Sequence, residues 1–342
     1  MPILLDGKAA LSSLDRGPYC PPSTKAAHST SPYIHVGLIN NMPDGALEAT
    51  ERQFFTLLDV AAGDHFVKLS LLALNDVPRT ASGRQHISRF YTTIDNVWDR
   101  NLDGLIVTGT EPCTSSLTQE PYWGTLKKVV EWAEHNTHST VWSCLAAHAA
   151  LLHTDGIERR RLSSKRFGIF ECTRSSDHHL TVGLPSAFEM PHSRWNDISE
   201  KDLRDCGYTL LSRAIDAGVD AFFKQKKSLF VFFQGHPEYE QDTLLLEYRR
   251  DVRRYLTGKR DTYPQIPQCY FDPDTGHALS LLGERARTQA SDHLLADILS
   301  SLVGRGIANT WRPVAVGVYR NWLSYLSVVK EQSLKARFAC VS

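Results

Sequence analysis

Ile34 to Ile39 is an apolar run of strand length, and Leu47 to Ala61 follows with Phe54, Leu57, Leu58 and Ala61 on one helical face. Phe66 to Leu74 alternates as a second strand, and Leu105-Ile106-Val107, ending at Thr108-Gly109, reads as a third. Leu126 to Trp132 has helical spacing; Ser139 to Ser143 is a fourth strand running into the helical stretch Leu145 to Leu152. Strands alternating with helices predict a parallel sheet joined by right-handed crossovers.

The second half is less regular. Gly168 to Cys172, Thr209 to Ser212 and Asp220 to Lys224 read as strands of a small antiparallel portion. Leu229 to Phe233 is almost wholly apolar, as a strand buried on both faces should be, and it stops at Gln234-Gly235-His236-Pro237-Glu238. Helices are expected over Gln241 to Leu256, Ser291 to Val303 and Val316 to Val328. Residues 1–32, with Pro21-Pro22 and Ser29-Thr30-Ser31-Pro32, have the composition of an extended arm. The chain therefore divides into an arm (1–32), an α/β catalytic domain (33–272) and a C-terminal appendage packed on that domain (273–342).

Composition narrows the function class. The 342 residues carry 38 Lys plus Arg against 38 Asp plus Glu, a net charge of zero that disfavours a mainly electrostatic nucleic-acid binder. Hydrophobic residues at 42% and charged residues at 22% are ordinary for a folded globular chain. Seven Cys, an odd number without a CxxC pair, suggest a reducing cytoplasm, and no apolar run approaches the roughly 20 residues of a membrane span. GxGxxG, Walker A and GxSxG patterns are absent, so their chemistries lack their usual signals.

Cys144 lies where a strand should turn into a helix. That places it at the carboxyl edge of the sheet, where N–H groups of the helix start favour negative charge and can stabilise an oxyanion. A buried small apolar residue is the alternative. His236 also follows a buried strand, with Glu238 two residues on, so thiolate, imidazole and carboxylate can meet at one sheet edge as nucleophile, base and orienter. A turn histidine bonded to a carbonyl is the competing reading. His148 and His153 lack partners at zinc-site spacing, so no metal is expected. His178-His179 reads as a solvated loop, and Arg159 to Arg161 with Lys165-Arg166 as a solvated face or an anion site.

With these residues in view, the sequence resembles the homoserine O-acyltransferase family (O-succinyl or O-acetyl), whose fold is similar to class I glutamine amidotransferases, a flavodoxin-like, mostly parallel sheet with helices on both faces. The resemblance rests on Asn41-Met42-Pro43, the helix from Glu51 to Leu58, Asp103 to Gly109, Tyr122-Trp123, Cys144 with Ala149-Ala150-Leu151, Pro191-His192-Ser193-Arg194, Gly235 to Tyr239 and Glu247 to Val252. It spans about residues 33–272 and recurs weakly at Trp311-Arg312 and Asn321-Trp322-Leu323.

The resemblance implies that Cys144 accepts the acyl group, His236 is the general base and Glu238 its partner. It implies that Lys165, Ser193 and Arg250 hold the amino-acid substrate, and that Cys113 occupies the position that selects the acyl group. Members with Gly there use succinyl and those with Glu use acetyl. Cys113 is small and leaves room for succinyl, whereas Glu111, two residues away, could reverse that preference if the loop shifts. Asp44-Gly45 stands where the family has a basic pair, and residues 273–310 exceed its usual length.

The expected reaction is acylation of L-homoserine from succinyl-CoA, or acetyl-CoA, by double displacement for methionine synthesis. The N–H groups of Leu145 and Thr110 would form the oxyanion hole. Acyl-CoA would be a co-substrate with no permanently bound cofactor; neither nucleic acid nor membrane is an expected partner, and a homodimer is left open. The rivals are a serine O-acyltransferase, a glutamine amidotransferase-like hydrolase and a non-catalytic family member.

Overall fold

In a computed structural model, residues 3–6, 33–288 and 309–339 are described. The parallel part of the sheet contains β1 (Ile3–Leu5), β2 (Ile34–Ile39), β3 (Val67–Ala73), β4 (Thr92–Thr93), β5 (Leu102–Val107), β6 (Thr137–Ser143) and β11 (Leu229–Phe233). Antiparallel pairing then adds β10 (Gly218–Gln225), β9 (Thr209–Ala214), β7 (Arg160–Arg174) and β8 (Ala187–Asp197). The order is β1-β3-β2-β5-β6-β11-β10-β9-β7-β8, with β4 beside β3. This is the α/β architecture expected, including its antiparallel portion.

β11 shows why a strand without polar positions belongs at the centre. Leu229, Val231 and Phe233 enter one hydrophobic cluster while Phe230 and Phe232 enter another on the opposite face. The first cluster is covered by α1 (Leu47–Ala62) and α8 (Arg312–Ala339), the second by α3 (Trp123–Asn136) and α4 (Leu145–Asp155). A third cluster joins α6 (Thr243–Leu256) and α7 (Pro273–Thr288) to Phe167 and Ile169 of β7. The remaining helices are α2 (Ala81–Phe90), capped by the Thr80 side chain, and α5 (Glu200–Asp205), capped by Ser199.

Several elements depart from the sequence expectations. Ile3–Leu5, placed in the arm, pairs with β3 as an edge strand, and Ile3 is buried. α2 and β8 had no clear periodic signal; β8 carries Pro191, which is tolerated because β8 is the last strand of the sheet. α8, within the segment expected to pack on the catalytic domain, covers a face of the sheet. Trp322 is buried with its Nε1 donating to Ser139 Oγ at 2.9 Å, and Ser139 donates in turn to the Leu229 carbonyl at 2.7 Å. Gly104 permits this approach, since a Cβ there would lie 2.6 Å from Leu326 and 2.8 Å from Trp322. The helix expected over Ser291 to Val303 lies outside the described residues. No helix among the described residues is long and apolar enough to cross a membrane.

Candidate active site

The parallel pairing of β6 and β11 sets Ser143 opposite Phe233, so the residues that follow them, Cys144 and Gln234, leave the sheet side by side. Cys144 turns the chain into α4 with φ 52° and ψ −113°, a conformation that a side chain rarely adopts. Two hydrogen bonds hold it there: Cys144 N–H donates to the Phe233 carbonyl at 2.8 Å, and His148 N–H donates to the Cys144 carbonyl at 3.3 Å. This strained elbow lifts the thiol above the sheet edge. The Leu145 N–H belongs to the first turn of α4, so no intrahelical acceptor uses it, and Gly109 packs against it. A Cβ on Gly109 would come within 2.9 Å of that nitrogen.

His236 is buried, and its backbone N–H donates to the Pro191 carbonyl at 2.8 Å. Nδ1 lies 2.8 Å from Glu238 Oε1, and the ring stacks on Tyr239 with centroids 4.2 Å apart. Nε2 has no hydrogen-bond partner. Burial alone would lower the imidazole pKa, but the charges of Glu238 and Cys144 outweigh it and raise it well above the ordinary value. The sequence-predicted Cys144, His236 and Glu238 thus form one constellation.

Behind it, His148 Nε2 lies 2.9 Å from Gln234 Oε1, and Gln234 donates to the Val219 carbonyl at 2.8 Å. Burial drives the His148 pKa down to about 4, so it packs as a neutral ring beneath the elbow. The one group of possible metal ligands among the described residues is Cys172, His192 and Asp220. His192 Nε2 is 3.4 Å from Asp220 Oδ1, and Arg194 Nε donates to His192 Nδ1 at 3.3 Å. A guanidinium so close disfavours a cation there, and burial pushes the Cys172 thiol pKa up, away from a ligating thiolate.

Lys165 from β7, Ser193 from β8 and Arg250 from α6 also meet, at Glu247 of α6. Glu247 Oε2 accepts from Ser193 Oγ at 2.6 Å and Lys165 Nζ at 3.2 Å, with Arg250 at 4.0 Å, while Oε1 accepts from Tyr239 OH at 2.5 Å. Burial would raise the Glu247 pKa, but Lys165, Ser193 and Tyr239 lower it overall and keep the carboxylate charged. Arg250 also donates to Asp251 at 3.0 Å and remains nearly half exposed.

The loop after Gly109 separates the two acyl-specificity candidates. Glu111 reaches outward to Arg254 of α6, whereas Cys113 is exposed and its N–H donates to Glu120 Oε2 at 3.2 Å. Asp44, at the position of the missing basic pair, accepts from Arg79 at 3.1 Å and from Thr80, closing its own loop.

Comparison with known proteins now bears on this geometry. The family described as homoserine O-succinyltransferase matches residues 19–333. The chain belongs to the homoserine O-succinyltransferase family. A homoserine O-succinyltransferase of Rhodopseudomonas palustris is 43% identical over 334 residues, covering 96% of this chain and 99% of that protein. One from Bradyrhizobium japonicum is 40% identical over 329 residues, covering 96% and 99%. A solved glutamine amido transferase from Methylobacillus flagellatus superposes with TM-score 0.47 at 15% identity, covering 87% of this chain and 96% of that one.

Membership makes the chain a transferase, and it puts residues missed by the sequence analysis in context. Glu247 had a signal, because it stands three residues before Arg250 and so on the same face of α6. Tyr239 had none beyond its place in the His-Pro-Glu-Tyr segment. Of His178 and His179, expected as a solvated loop, His178 is partly buried and stacks on Phe223, while His179 is exposed and stacks on Tyr325. Their apolar partners lie far along the chain, out of reach of a local reading.

Proposed function

We propose that this protein transfers a succinyl group from succinyl-CoA to the hydroxyl of L-homoserine through a thioester on Cys144. The observation that carries the reading is the strained Cys144 elbow beside the His236–Glu238 pair, with the Lys165–Ser193–Arg250–Glu247 cluster linked to His236 through Tyr239. The family's curated relatives bear the name of this reaction.

In the first half-reaction the Cys144 thiolate attacks the thioester carbonyl. The tetrahedral oxyanion is met by N–H groups of Leu145 and Thr110, and CoA leaves as its thiol with the proton of His236 Nε2. In the second, neutral His236 accepts the hydroxyl proton as the homoserine oxygen attacks the acyl carbon, and Cys144 departs as thiolate. The proton returns to His236, so the resting state is restored. Glu238 keeps the imidazole in one orientation throughout.

The amino-acid substrate is a zwitterion, and the α6 cluster offers both signs of charge. Arg250 and Lys165 suit its carboxylate, while Glu247 with Ser193 suits its ammonium. Glu111 is engaged by Arg254 and Cys113 is small, which supports succinyl over acetyl. Intact-mass measurement after mixing with succinyl-CoA tests the reading. A succinyl adduct on wild type that homoserine discharges, and its absence in Cys144→Ala, are expected; CoA release without any adduct overturns the thioester route.

A further inference from the structure

Val107, the last residue of β5, lies opposite Ile39 of β2 on one side and Trp142 of β6 on the other. Thr108 and Gly109 therefore leave the sheet between the end of β2 and the Cys144 elbow. Thr108 is buried, and its hydroxyl is used twice: Oγ1 accepts the Asn41 N–H at 2.8 Å and donates to the Gly109 carbonyl at 3.1 Å. Asn41, also buried, returns a third bond from Nδ2 to the Thr108 carbonyl at 3.1 Å.

Asn41 is a fixed anchor, because its neighbours are held from several directions. Asn40 N–H donates to the Leu72 carbonyl at 2.9 Å, and Asn40 Nδ2 reaches the Leu47 carbonyl and Tyr91 OH, both at 3.0 Å. Arg79 donates to the Asn40 and Met42 carbonyls at 3.2 and 2.8 Å. On the other side, Gly109 meets the elbow directly. A Cβ there would lie 2.9 Å from Leu145 N and 3.4 Å from the Ser143 carbonyl oxygen.

The peptide that joins Gly109 to Thr110 is trans, so its C=O and N–H point in opposite directions. Its carbonyl is drawn toward β2, because the hydroxyl that holds it is the one bonded to Asn41. The Thr110 N–H is thereby turned the other way, toward β6 and Cys144, and no backbone acceptor among the described residues engages it. Glycine at 109 would otherwise let this peptide rotate at little cost.

Building on the proposed thioester reaction, we infer that Asn41 and Thr108 are positioning residues that aim the Thr110 N–H at the oxyanion formed on the acyl carbon at Cys144. A donor fixed beforehand stabilises that charge without reorganising as it develops.

The test compares two reactions of Cys144 in the full chain: succinylation by succinyl-CoA in a single turnover, read by intact mass, and alkylation by iodoacetamide, read on the Cys144 peptide. Succinylation passes through a tetrahedral oxyanion, whereas alkylation needs only the thiolate. Thr108→Val keeps the branched shape and loses the hydroxyl, so succinylation should slow by about 10- to 100-fold, less than deletion of a donor outright, while alkylation keeps the wild-type rate. Thr108→Ser should restore most of the loss. Asn41→Ala removes only the Nδ2 bond and should slow succinylation by about 3- to 10-fold with the same split, which decides the matter if Thr108→Val does not fold. Equal losses in both reactions would assign the pair to the thiol or to folding and overturn the inference, as would an unchanged succinylation rate. A wild type that is alkylated at Cys144 yet forms no succinyl adduct there instead overturns the reaction reading on which the inference rests.

Discussion

Arg254 grips Glu111 with both arms of its guanidinium, NH1 to Oε1 at 3.0 Å and NH2 to Oε2 at 3.2 Å. The pair fastens the loop after β5 to α6 and holds the Glu111 carboxyl below its usual pKa range, chiefly through the Arg254 hydrogen bonds. Removing Arg254 should therefore free a carboxylate beside the proposed acyl site. For Arg254→Ala we expect kcat/KM with succinyl-CoA to drop about 3- to 10-fold through like-charge repulsion, with little change for acetyl-CoA. Arg254→Ala/Glu111→Gln should recover the loss. Stability should hardly move, because both side chains are substantially exposed. A double variant no better than the single one would show that Glu111 does not influence donor choice.

The backbone strain at Cys144 separates stability from activity. Glycine accepts a positive φ without a Cβ penalty, so Cys144→Gly should be inactive yet at least as stable as wild type, by up to about 1 kcal/mol. Cys144→Ala should be equally inactive without that gain. Chemical denaturation of the two variants checks the difference, and a destabilised glycine variant would argue that the thiol holds the elbow.

His236 is charged at higher pH than an ordinary histidine because Glu238 and Cys144 raise its pKa against the lowering effect of burial. The sign for stability follows. The contribution is complete below the ordinary value of 6.5 and is lost as pH rises through the higher folded value. In Glu238→Gln the imidazolium loses its main support, so the alkaline limb of the kcat/KM profile should move to lower pH. The rate should also fall by about 10²- to 10⁴-fold. An unmoved limb would detach Glu238 from His236.

His148 gives the opposite dependence. With a folded pKa of about 4 against 6.5 when unfolded, its contribution is full above pH 6.5 and is lost as pH falls toward 4, about 3 kcal/mol in all. His148→Gln, which can still bond to Gln234, should flatten the acid side of the stability profile. Urea unfolding across that range measures it.

Trp322 tests the C-terminal layer. Trp322→Ala removes a buried indole from the sheet face and leaves Ser139 without its donor, so stability should drop by about 3–5 kcal/mol. An effect below about 1 kcal/mol would mean that α8 adds little to the stability of the sheet.

Local pattern was enough for much of this protein. The parallel strands announced themselves through short apolar runs, and Cys144 and His236 each stood where such a run ends, because a buried strand must change composition as it leaves the core. Strand ends carry ligands in this architecture, so the proposed nucleophile and base were legible in one dimension. The pairing of β6 with β11, across about ninety residues, was not. It depends on sheet order, and it sets Cys144 beside Gln234, two residues before His236. Contacts between distant side chains were likewise hidden. Glu247 joins Lys165, Ser193 and Tyr239 from three separate elements, Glu111 is claimed by Arg254, and Trp322 reaches Ser139 from the far end of the chain. Periodicity records which residues avoid water, whereas partners for buried charge are chosen by where the folded backbone brings opposite charges together.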